Sequence, residues 1–433
     1  MNLIYINTHD TGRYIEPYGH RVATPNLMRL AAESALFRQA YCAGPTCSPS
    51  RAALLTGLAP HSCGMTGLVH RGFRLRDSDR HLANFLKRNG YDTALSGIQH
   101  EAADAADLGY QTLLNAQSVK DPAMRDYANA LEAAEFIKRK HDKPFFLSFG
   151  MFNTHRPFPP ASPKHRPAYI LPPSPLADTE INRGDMAGYH TSIDIVDQCV
   201  GIVMEAIEAS GCAGETVVVF TTDHGIAFPY MKGTLYDTGI GVALMIRYPG
   251  NPMRGLATDA LVSQIDLFPT ICELAGLAPP DGLQGRSLLP ILTGAAEQVN
   301  AFIFAETNYH AAYEPMRCIR NARYKLIRYY GERDGWVWAN MDDSDSKKAI
   351  IEGSDLPQAR PQWQLFDLLT DAPERVNLAY DPRYADILSD LSRELELWMK
   401  RTDDPLLSGP VPRPEGARLN KPSALSPSDA DYE

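Results

Sequence analysis

Two pairs of adjacent histidine and aspartate residues each follow an apolar stretch of the chain. His9-Asp10 comes directly after the apolar N-terminal residues, and Asp223-His224 follows a run rich in valine and threonine. Carboxylate and imidazole groups are common ligands of divalent metals, and the ends of short strands can hold them rigidly. The two pairs therefore favour a metal site, although each aspartate could instead cap a helix or a turn.

Two further histidines, His100 and His155, also follow apolar stretches. In open α/β sheets, ligands bind beyond the carboxyl ends of the strands. We therefore expect both imidazoles to lie near the two histidine–aspartate pairs.

A cysteine lies at the start of a possible helix. The segment is Cys47-Ser48-Pro49-Ser50-Arg51, followed by Ala52-Ala53-Leu54-Leu55-Thr56-Gly57. Free N–H groups and the helix dipole make such an N-terminus an anion site, and a thiol beside Arg51 would be activated there. A buried structural cysteine in a proline turn is the alternative. The residues alone leave both interpretations open.

Candidate strands alternate with candidate helices up to about residue 311. The strands are 3–7, 93–97, 144–152, 216–222, 242–248 and 301–305, and the helices are 26–32, 81–89, 126–141, 185–210 and 264–275. This alternation predicts a mainly parallel sheet covered by helices. The proline-rich segment 157–175 is expected to be a loop.

The pattern changes near residue 311. Residues 316–330 alternate like antiparallel strands, 363–368 form a further candidate strand, and 382–400 have the apolar spacing of an amphipathic helix. We therefore predict a catalytic α/β domain at 1–311 and a smaller α+β domain at 312–433, which ends in an extended tail from Ser408.

The composition disfavours several classes of function. The net charge is −10 and no lysine or arginine tract occurs, so we expect no nucleic-acid partner. The seven cysteines are scattered without a CxxC pair, which disfavours a disulfide framework or a structural zinc site. No apolar run approaches the roughly 18–20 residues of a membrane span. The first residues lack the basic region and cleavage site of a signal peptide, so a cytoplasmic protein without membrane contact is expected.

The segment from Cys47 to Gly57 resembles the signature of the type I sulfatases, Cys-x-Pro-Ser-Arg-x-x-x-Leu-Thr-Gly, at every fixed position. Other segments similar to that family are Thr24–Leu27, Asp223–Gly225, Lys232, Asp266–Ile271 and Arg317–Leu326. Within the family, residues 225–229, 313–317, 363–367 and 398–405 most resemble the heparan N-sulfatases, or sulfamidases. The resemblance covers nearly all of residues 1–405. It implies an alkaline-phosphatase-like fold, with a large, mainly parallel or mixed sheet between helices and a smaller C-terminal antiparallel sheet plus helix.

The resemblance also implies a role for each site residue. A formylglycine-generating enzyme would convert Cys47 to Cα-formylglycine, whose hydrate attacks sulfur and gives a covalent sulfo-enzyme intermediate. The implied metal ligands are His9, Asp10, Cys47, Asp223 and His224. Arg51 would hold the formylglycine, His100 would orient or deprotonate its hydrate, His155 would protonate the leaving atom, and Lys232 would bind the sulfuryl oxygens. Arg156 and His310 are expected to contact the substrate.

Two departures from the family pattern affect the metal and the anion pocket. The family has Asp-Asp where this chain has His9-Asp10, and often Asp-Asn where it has Asp223-His224. Calcium, the family's usual metal, prefers oxygen ligands, whereas two imidazoles favour Mn²⁺ or Zn²⁺. The family's lysine in Gly-Lys-x-His is replaced by Ile98, which removes one positive charge from the anion pocket.

Three functions are compatible with these residues. The first is a hydrolase of sulfate monoesters or sulfamates, on a sugar. The second is a phosphonate monoester or phosphodiester hydrolase with the same formylglycine and metal, since a singly charged diester needs less positive charge than a dianion. The third, a non-catalytic binding protein, is disfavoured by the intact set of site residues. The expected partner is a small sulfated molecule or phosphodiester, and the chain could form a homo-oligomer.

Overall fold

The computed structural model describes residues 1–114, 116, 119–332, 335–353 and 360–432, and these residues form two sheets. The strands of the larger sheet are β1 (Asn2–Thr8), β2 (Ala35–Tyr41), β3 (Asp92–Gly97), β4 (Thr112–Leu114), β5 (Phe145–Gly150), β6 (Thr216–Thr222), β7 (Gly241–Val242), β8 (Leu244–Arg247) and β9 (Leu256–Ser263). Their order is β4-β3-β5-β1-β6-β8-β2-β7, with β9 paired to β2. The neighbours β4, β3, β5, β1 and β6 are parallel, whereas β8 runs antiparallel to β6 and β2. The predicted stretch 242–248 is therefore two strands.

Helices cover both faces of this sheet. Those described are α1 (Pro25–Ala32), α2 (Cys47–Thr56), α3 (Pro60–Cys63), α4 (Leu82–Arg88), α5 (Pro122–Lys138), α6 (Glu180–Ala209), α7 (Asp237–Ile240), α8 (Leu267–Leu274), α9 (Leu289–Leu292), α10 (Asp345–Gly353) and α11 (Ala385–Arg401). Alternate side chains of a strand point to opposite faces. Leu3 and Tyr5 of β1 belong to the core that α2, α4 and α8 complete, whereas Ile4 and Ile6 belong to the core of α1, α5 and α6. No helix in the described ranges has the length and apolar character needed to cross a bilayer.

The smaller sheet is antiparallel, in the order β10 (Ile303–Tyr309), β11 (Tyr313–Arg320), β12 (Tyr324–Tyr329) and β13 (Trp363–Asp367). Leu391, Leu395 and Trp398 of α11 pack in one cluster with residues of β11, β12 and β13. The candidate strand at 301–305 thus belongs to the small sheet, because β10 pairs with β11. A domain boundary at residue 311 stays a proposal, since β10 precedes it.

The C-terminal tail is irregular and packs on the protein. Val411 and Leu419 are buried in a cluster with Phe73 and Tyr309. The backbone N–H of Val411 donates to the Tyr313 hydroxyl at 2.9 Å. The described part of the tail therefore follows the surface of the protein without forming an element of either sheet.

The sheet order brings the functional segments together. Strands β3, β5, β1 and β6 are consecutive and parallel, so their carboxyl ends meet at one edge. Thr8 at the end of β1 is paired with Thr222 at the end of β6. The residues that follow these two strands therefore start side by side.

Candidate active site and metal centre

The two histidine–aspartate pairs meet beyond the ends of β1 and β6. Asp10 has a left-handed backbone with φ of 50°, and its N–H donates to Asp223 Oδ1 at 2.8 Å. His9 Nδ1 lies 2.7 Å from Asp10 Oδ1 and 3.3 Å from Asp223 Oδ2, and His224 Nε2 lies 3.3 Å from Asp10 Oδ1. All four side chains are fully buried. The predicted pairs therefore form one cluster.

This cluster has the donors of a divalent metal site. Ligand atoms of His9, Asp10, Cys47, Asp223 and His224 all lie within 4.8 Å of one another. His224 Nε2 is buried without a hydrogen-bond partner, although it faces Asp10. A buried, unpartnered imidazole nitrogen beside two carboxylates fits a metal ligand, since buried polar atoms otherwise have partners. The residues present thus fit a divalent ion.

The two carboxylates of the cluster stay ionised. Burial raises the pKa of Asp10, but the nearby Lys232 and His224 outweigh burial and hold this pKa well below its ordinary value. Burial likewise raises the pKa of Asp223, and His224, His9 and Arg51 outweigh it. Negative oxygens are thus available to a cation near neutral pH.

Cys47 is the first residue of α2, which is buried along its whole length. One turn later, Arg51 donates from Nε and Nη2 to Asp223 Oδ2 at 3.2 and 3.1 Å. Ser50 donates its hydroxyl to the backbone oxygen of Asp223. The helix is therefore attached to the metal cluster by the same face that carries Cys47.

Burial opposes ionisation of the Cys47 thiol. It raises the pKa well above the ordinary value for cysteine, even though Lys232 acts in the opposite direction. The guanidinium of Arg51 is already paired with Asp223, so of the two interpretations that the sequence left open, the structure favours a buried cysteine over a thiolate. A plain cysteine here would be a weak nucleophile.

Three imidazoles lie next to one another at the opening of the cluster. The ring of His9 lies 4.5 Å from that of His155 and 5.1 Å from that of His100, centroid to centroid. His9 Nε2 is 3.3 Å from His100 Nδ1. Burial lowers the pKa of His100 to about 3, so this imidazole is neutral near pH 7 and one ring nitrogen can accept a hydrogen bond. His155 is half-buried.

Lys232 is held between two carboxylates. Its Nζ lies 2.8 Å from Asp10 Oδ2 and 2.8 Å from Asp342 Oδ2, and the side chain is 3% exposed. Burial lowers the pKa of Lys232, but these two carboxylates outweigh burial and raise it well above its ordinary value. Lys232 is therefore a fixed positive charge at the metal cluster, as its predicted role requires.

Sequence reasoning missed Asp342. It follows the 3₁₀ turn Trp338–Asn340 and begins the acidic stretch Asp342-Asp343-Ser344-Asp345, which has the composition of a solvated loop. Its side chain is nevertheless only 14% exposed and is paired with Lys232. No local pattern distinguishes it from its acidic neighbours, because its role comes from a contact with a distant segment.

The two residues expected to contact substrate differ in their surroundings. Arg156 forms a bidentate pair with Asp185 of α6, at 2.7 Å for both contacts, and its guanidinium lies 4.2 Å from the ring centroid of Phe158. His310 is buried, and burial together with the charge of Lys232 lowers its pKa to about 3. His310 therefore borders the site, whereas Arg156 fastens the proline-rich loop to α6. Substrate contact by either stays a prediction.

A cavity of about 750 Å³ lies between the proline-rich loop and α10. It is lined by the proline-rich loop from Arg156, by α6, by α10 and by the tail near Leu425. Arg156 and Asp343, two of its lining residues, are the chain neighbours of His155 and Asp342. The cavity is large enough for a sugar, and the chain joins two of its lining residues directly to residues of the site.

Ile98 occupies the position at which the family has a lysine. Ile98 is half-buried and donates its N–H to Gly150 O at 2.9 Å, where β3 and β5 end. The positive charges at the cluster are therefore Arg51 and Lys232, and each is paired with a carboxylate.

Comparisons with known proteins agree with this geometry. Residues 1–277 match the model of the sulfatase family, which is more than half of the chain. The chain belongs to the sulfatase family. Residues 224–357 also match the family model described as N-sulphoglucosamine sulphohydrolase, C-terminal.

Individual relatives support the same assignment. Human N-sulphoglucosamine sulphohydrolase is 31% identical over 444 aligned residues, covering 90% of this chain and 88% of that protein. A solved 2-O GAG sulfatase has a TM-score of 0.73 at 22% identity and covers 94% of this chain and 93% of its own. The phosphonate monoester hydrolase of Agrobacterium radiobacter has a TM-score of 0.72 at 20% identity, over 93% and 96%. The predicted resemblance to the N-sulfatases, the fold class and the enzyme class are confirmed.

Proposed function

We propose that this sulfatase hydrolyses sulfate monoesters or sulfamates of sugars, with the formylglycine hydrate of residue 47 as nucleophile. The observation that carries the proposal is the position of Cys47 Sγ, within 4.8 Å of ligand atoms of His9, Asp10, Asp223 and His224. The likeness to human N-sulphoglucosamine sulphohydrolase, and a cavity lined by the chain neighbours of His155 and Asp342, support a sugar as the group that carries the sulfuryl.

The charged groups of the site have separate roles in the proposed reaction. A divalent ion held by His9, Asp10, residue 47, Asp223 and His224 would lower the pKa of the nucleophile and neutralise sulfuryl charge. Lys232 binds the sulfuryl oxygens as a fixed charge, and Arg51 keeps residue 47 oriented through its pair with Asp223.

Two imidazoles transfer the protons. His155 donates a proton to the leaving oxygen or nitrogen as its bond to sulfur breaks, since its half-buried ring lies 4.5 Å from that of His9 at the cluster. His100 is neutral and accepts the proton of the second hydroxyl of residue 47, which then expels sulfate from the covalent sulfo-enzyme and restores the aldehyde.

Conversion of Cys47 to formylglycine would supply a nucleophile that the unmodified cysteine lacks. The buried thiol of Cys47 has a raised pKa and carries no second hydroxyl with which to expel sulfate. A maturing enzyme that generates formylglycine is therefore a required partner in this proposal.

The metal remains to be assigned. Asp10 and Asp223 offer the oxygen atoms that Ca²⁺ prefers, whereas His224 and His9 favour Mn²⁺ or Zn²⁺. Removal of metal with EDTA and addition of each ion in turn to the same preparation identify the one that restores activity.

Phosphonate monoester or phosphodiester hydrolysis is the second candidate. It is favoured by Ile98 and by the pairing of Lys232 with Asp342, which both reduce the positive charge offered to the substrate. The phosphonate monoester hydrolase of Agrobacterium radiobacter, whose fold is similar, is compatible with this second candidate.

Kinetics on three substrates decide between these functions. The substrates are an aryl sulfate, N-sulfoglucosamine and an aryl phosphodiester, each with metal-reconstituted protein. Cys47→Ala is the inactive variant. Cys212→Ala is the control, because the half-buried Cys212 lies between α6 and the start of β6, at the opposite end of this strand from the site. We expect the highest kcat/KM for a sulfate or sulfamate and its loss in Cys47→Ala alone. A tenfold preference for the phosphodiester, about 1.4 kcal/mol, would make the second candidate correct.

Cytoplasmic location and a homo-oligomeric state also stay proposals. Cell fractionation tests the first, and light scattering of the purified protein tests the second.

A further inference from the structure

Asp342 places a second carboxylate at the sulfuryl pocket. Its Oδ2 lies 2.8 Å from Lys232 Nζ, and the side chain is 14% exposed. Among the residues that the structure describes, no further hydrogen bond to Asp342 accompanies this ion pair. A mostly buried carboxylate whose described partner is a single ammonium group can accept a further hydrogen bond.

The position of the Asp342 carboxylate relative to the reacting atoms follows from its neighbours. Ligand atoms of Asp10, His155 and Asp342 lie within 4.8 Å of one another. In the function proposed above, Lys232 holds the sulfuryl oxygens and His155 protonates the leaving atom. Asp342 lies 2.8 Å from the first of these groups and has a ligand atom within 4.8 Å of the second, so it is near the atom that links the sulfuryl to the sugar.

That linking atom differs between the two classes of substrate. In a sulfamate it is a nitrogen that carries a hydrogen and can donate it. In a sulfate ester it is an oxygen, which has only lone pairs to present to a carboxylate. The ion pair with Lys232 keeps Asp342 ionised, and an ionised carboxylate only accepts hydrogen bonds.

We propose, on the basis of the function proposed above, that Asp342 is a specificity-determining residue. It accepts the N–H of a sulfamate and so selects an N-sulfo group over an O-sulfo group on the same carbon of the sugar. The hydrogen bond also orients the nitrogen lone pair toward His155, which supplies the proton that the leaving amine needs.

The test uses two substrates that differ only in the linking atom. They are the methyl glycoside of N-sulfoglucosamine and the methyl glycoside of glucose with an O-sulfate at the same carbon. The wild type, Asp342→Asn, Asp342→Ala and the control Asp142→Asn are compared by the ratio of kcat/KM for the two substrates. Asp142 is exposed between α5 and β5, so its substitution removes the same charge away from the site and from the residues that line the cavity.

We expect the wild type and Asp142→Asn to prefer the N-sulfo substrate by at least tenfold. Asp342→Ala should lower this ratio by about tenfold or more, as loss of a charged hydrogen bond predicts, and Asp342→Asn by less, because its amide oxygen is a weaker acceptor. Partial misfolding or a disturbed Lys232 would lower both rates together and leave the ratio unchanged.

Three results overturn the inference. They are a wild type that prefers the O-sulfo substrate, a wild type that hydrolyses neither, and an Asp342→Ala variant with an unchanged ratio. Parallel assays with an aryl sulfate and an aryl phosphodiester separate the two levels of failure. If the aryl sulfate is hydrolysed in a manner that depends on residue 47, only the inference on Asp342 fails. If the phosphodiester alone is hydrolysed, the proposed function fails as well.

Discussion

Substitution of Lys232 by methionine removes the only atom that contacts both Asp10 and Asp342 at 2.8 Å in the described site. At an effective dielectric constant of 20, each contact contributes about 6 kcal/mol of Coulombic attraction. Desolvation of three buried ions offsets most of this attraction. Removal of one partner from a buried ion pair nevertheless costs about 3–5 kcal/mol, because the remaining charge is left uncompensated.

This free energy can be measured as a change in melting temperature. With about 2.1 cal/mol/K per residue, a chain of 433 residues has an unfolding entropy near 0.9 kcal/mol/K. A loss of about 4 kcal/mol therefore lowers Tm by roughly 4 °C in metal-free protein. Bound metal should reduce the loss, because the ion compensates Asp10. We also expect kcat/KM to fall by about 100-fold or more, since Lys232 would no longer face the sulfuryl oxygens.

Lys164→Met is the matched control. Lys164 is 55% exposed and lies 2.8 Å from Asp194, so the same substitution breaks a surface pair of equal length. Such pairs contribute about 0–1 kcal/mol, and kcat/KM should not change. Calorimetry and steady-state kinetics on both variants check the reasoning. Equal loss of stability in the two variants, or less than a tenfold loss of kcat/KM in Lys232→Met, would refute it.

Three further predictions concern the helix of Cys47, the metal and the pH dependence. Gly57 ends α2 with φ of 66°, and an added Cβ would lie 2.8 Å from Leu283 Cδ2, so Gly57→Ala should destabilise the fold by about 1–3 kcal/mol in chemical denaturation. Gly211→Ala has a similar φ but open space and should cost less, and equal costs would show that the contact is unimportant. Metal removal should lower Tm and abolish turnover, and an EDTA-treated protein of unchanged Tm would contradict a metal at the cluster. Burial raises the pKa of Asp126 to about 6, so its contribution to the free energy of unfolding is full below about pH 4 and is lost as pH rises through 6. Asp126→Asn should therefore flatten the pH dependence of Tm between pH 4 and 6, whereas the exposed control Asp142→Asn should leave it unchanged.

The sequence predicted the parts of the site that depend on strand ends. Parallel neighbouring strands end at one edge of a sheet, so the sequence could predict that four side chains lie close together: those of His9, Asp223, His100 and His155. Arg51 and Cys47 could be placed on one helical face by their spacing of four residues.

The remaining features depend on contacts between distant segments. Asp342 reaches Lys232 from a loop that looks solvated, and Arg156 is neutralised by Asp185 on α6. The raised pKa of Cys47 results from burial, which the residues around it do not reveal. The sequence likewise does not show which sheet β10 joins, and the structure pairs it with β11 in the small sheet.

The central claim is that residue 47 acts as formylglycine at this metal cluster. The most direct test is to prepare the protein with graded amounts of the maturing enzyme and to measure two quantities in each preparation. Peptide mass spectrometry gives the fraction of residue 47 present as formylglycine, and kcat on an aryl sulfate gives the activity. We predict that kcat rises in proportion to that fraction and extrapolates to zero for unconverted Cys47. Full activity in protein that carries only cysteine at position 47 would contradict the account.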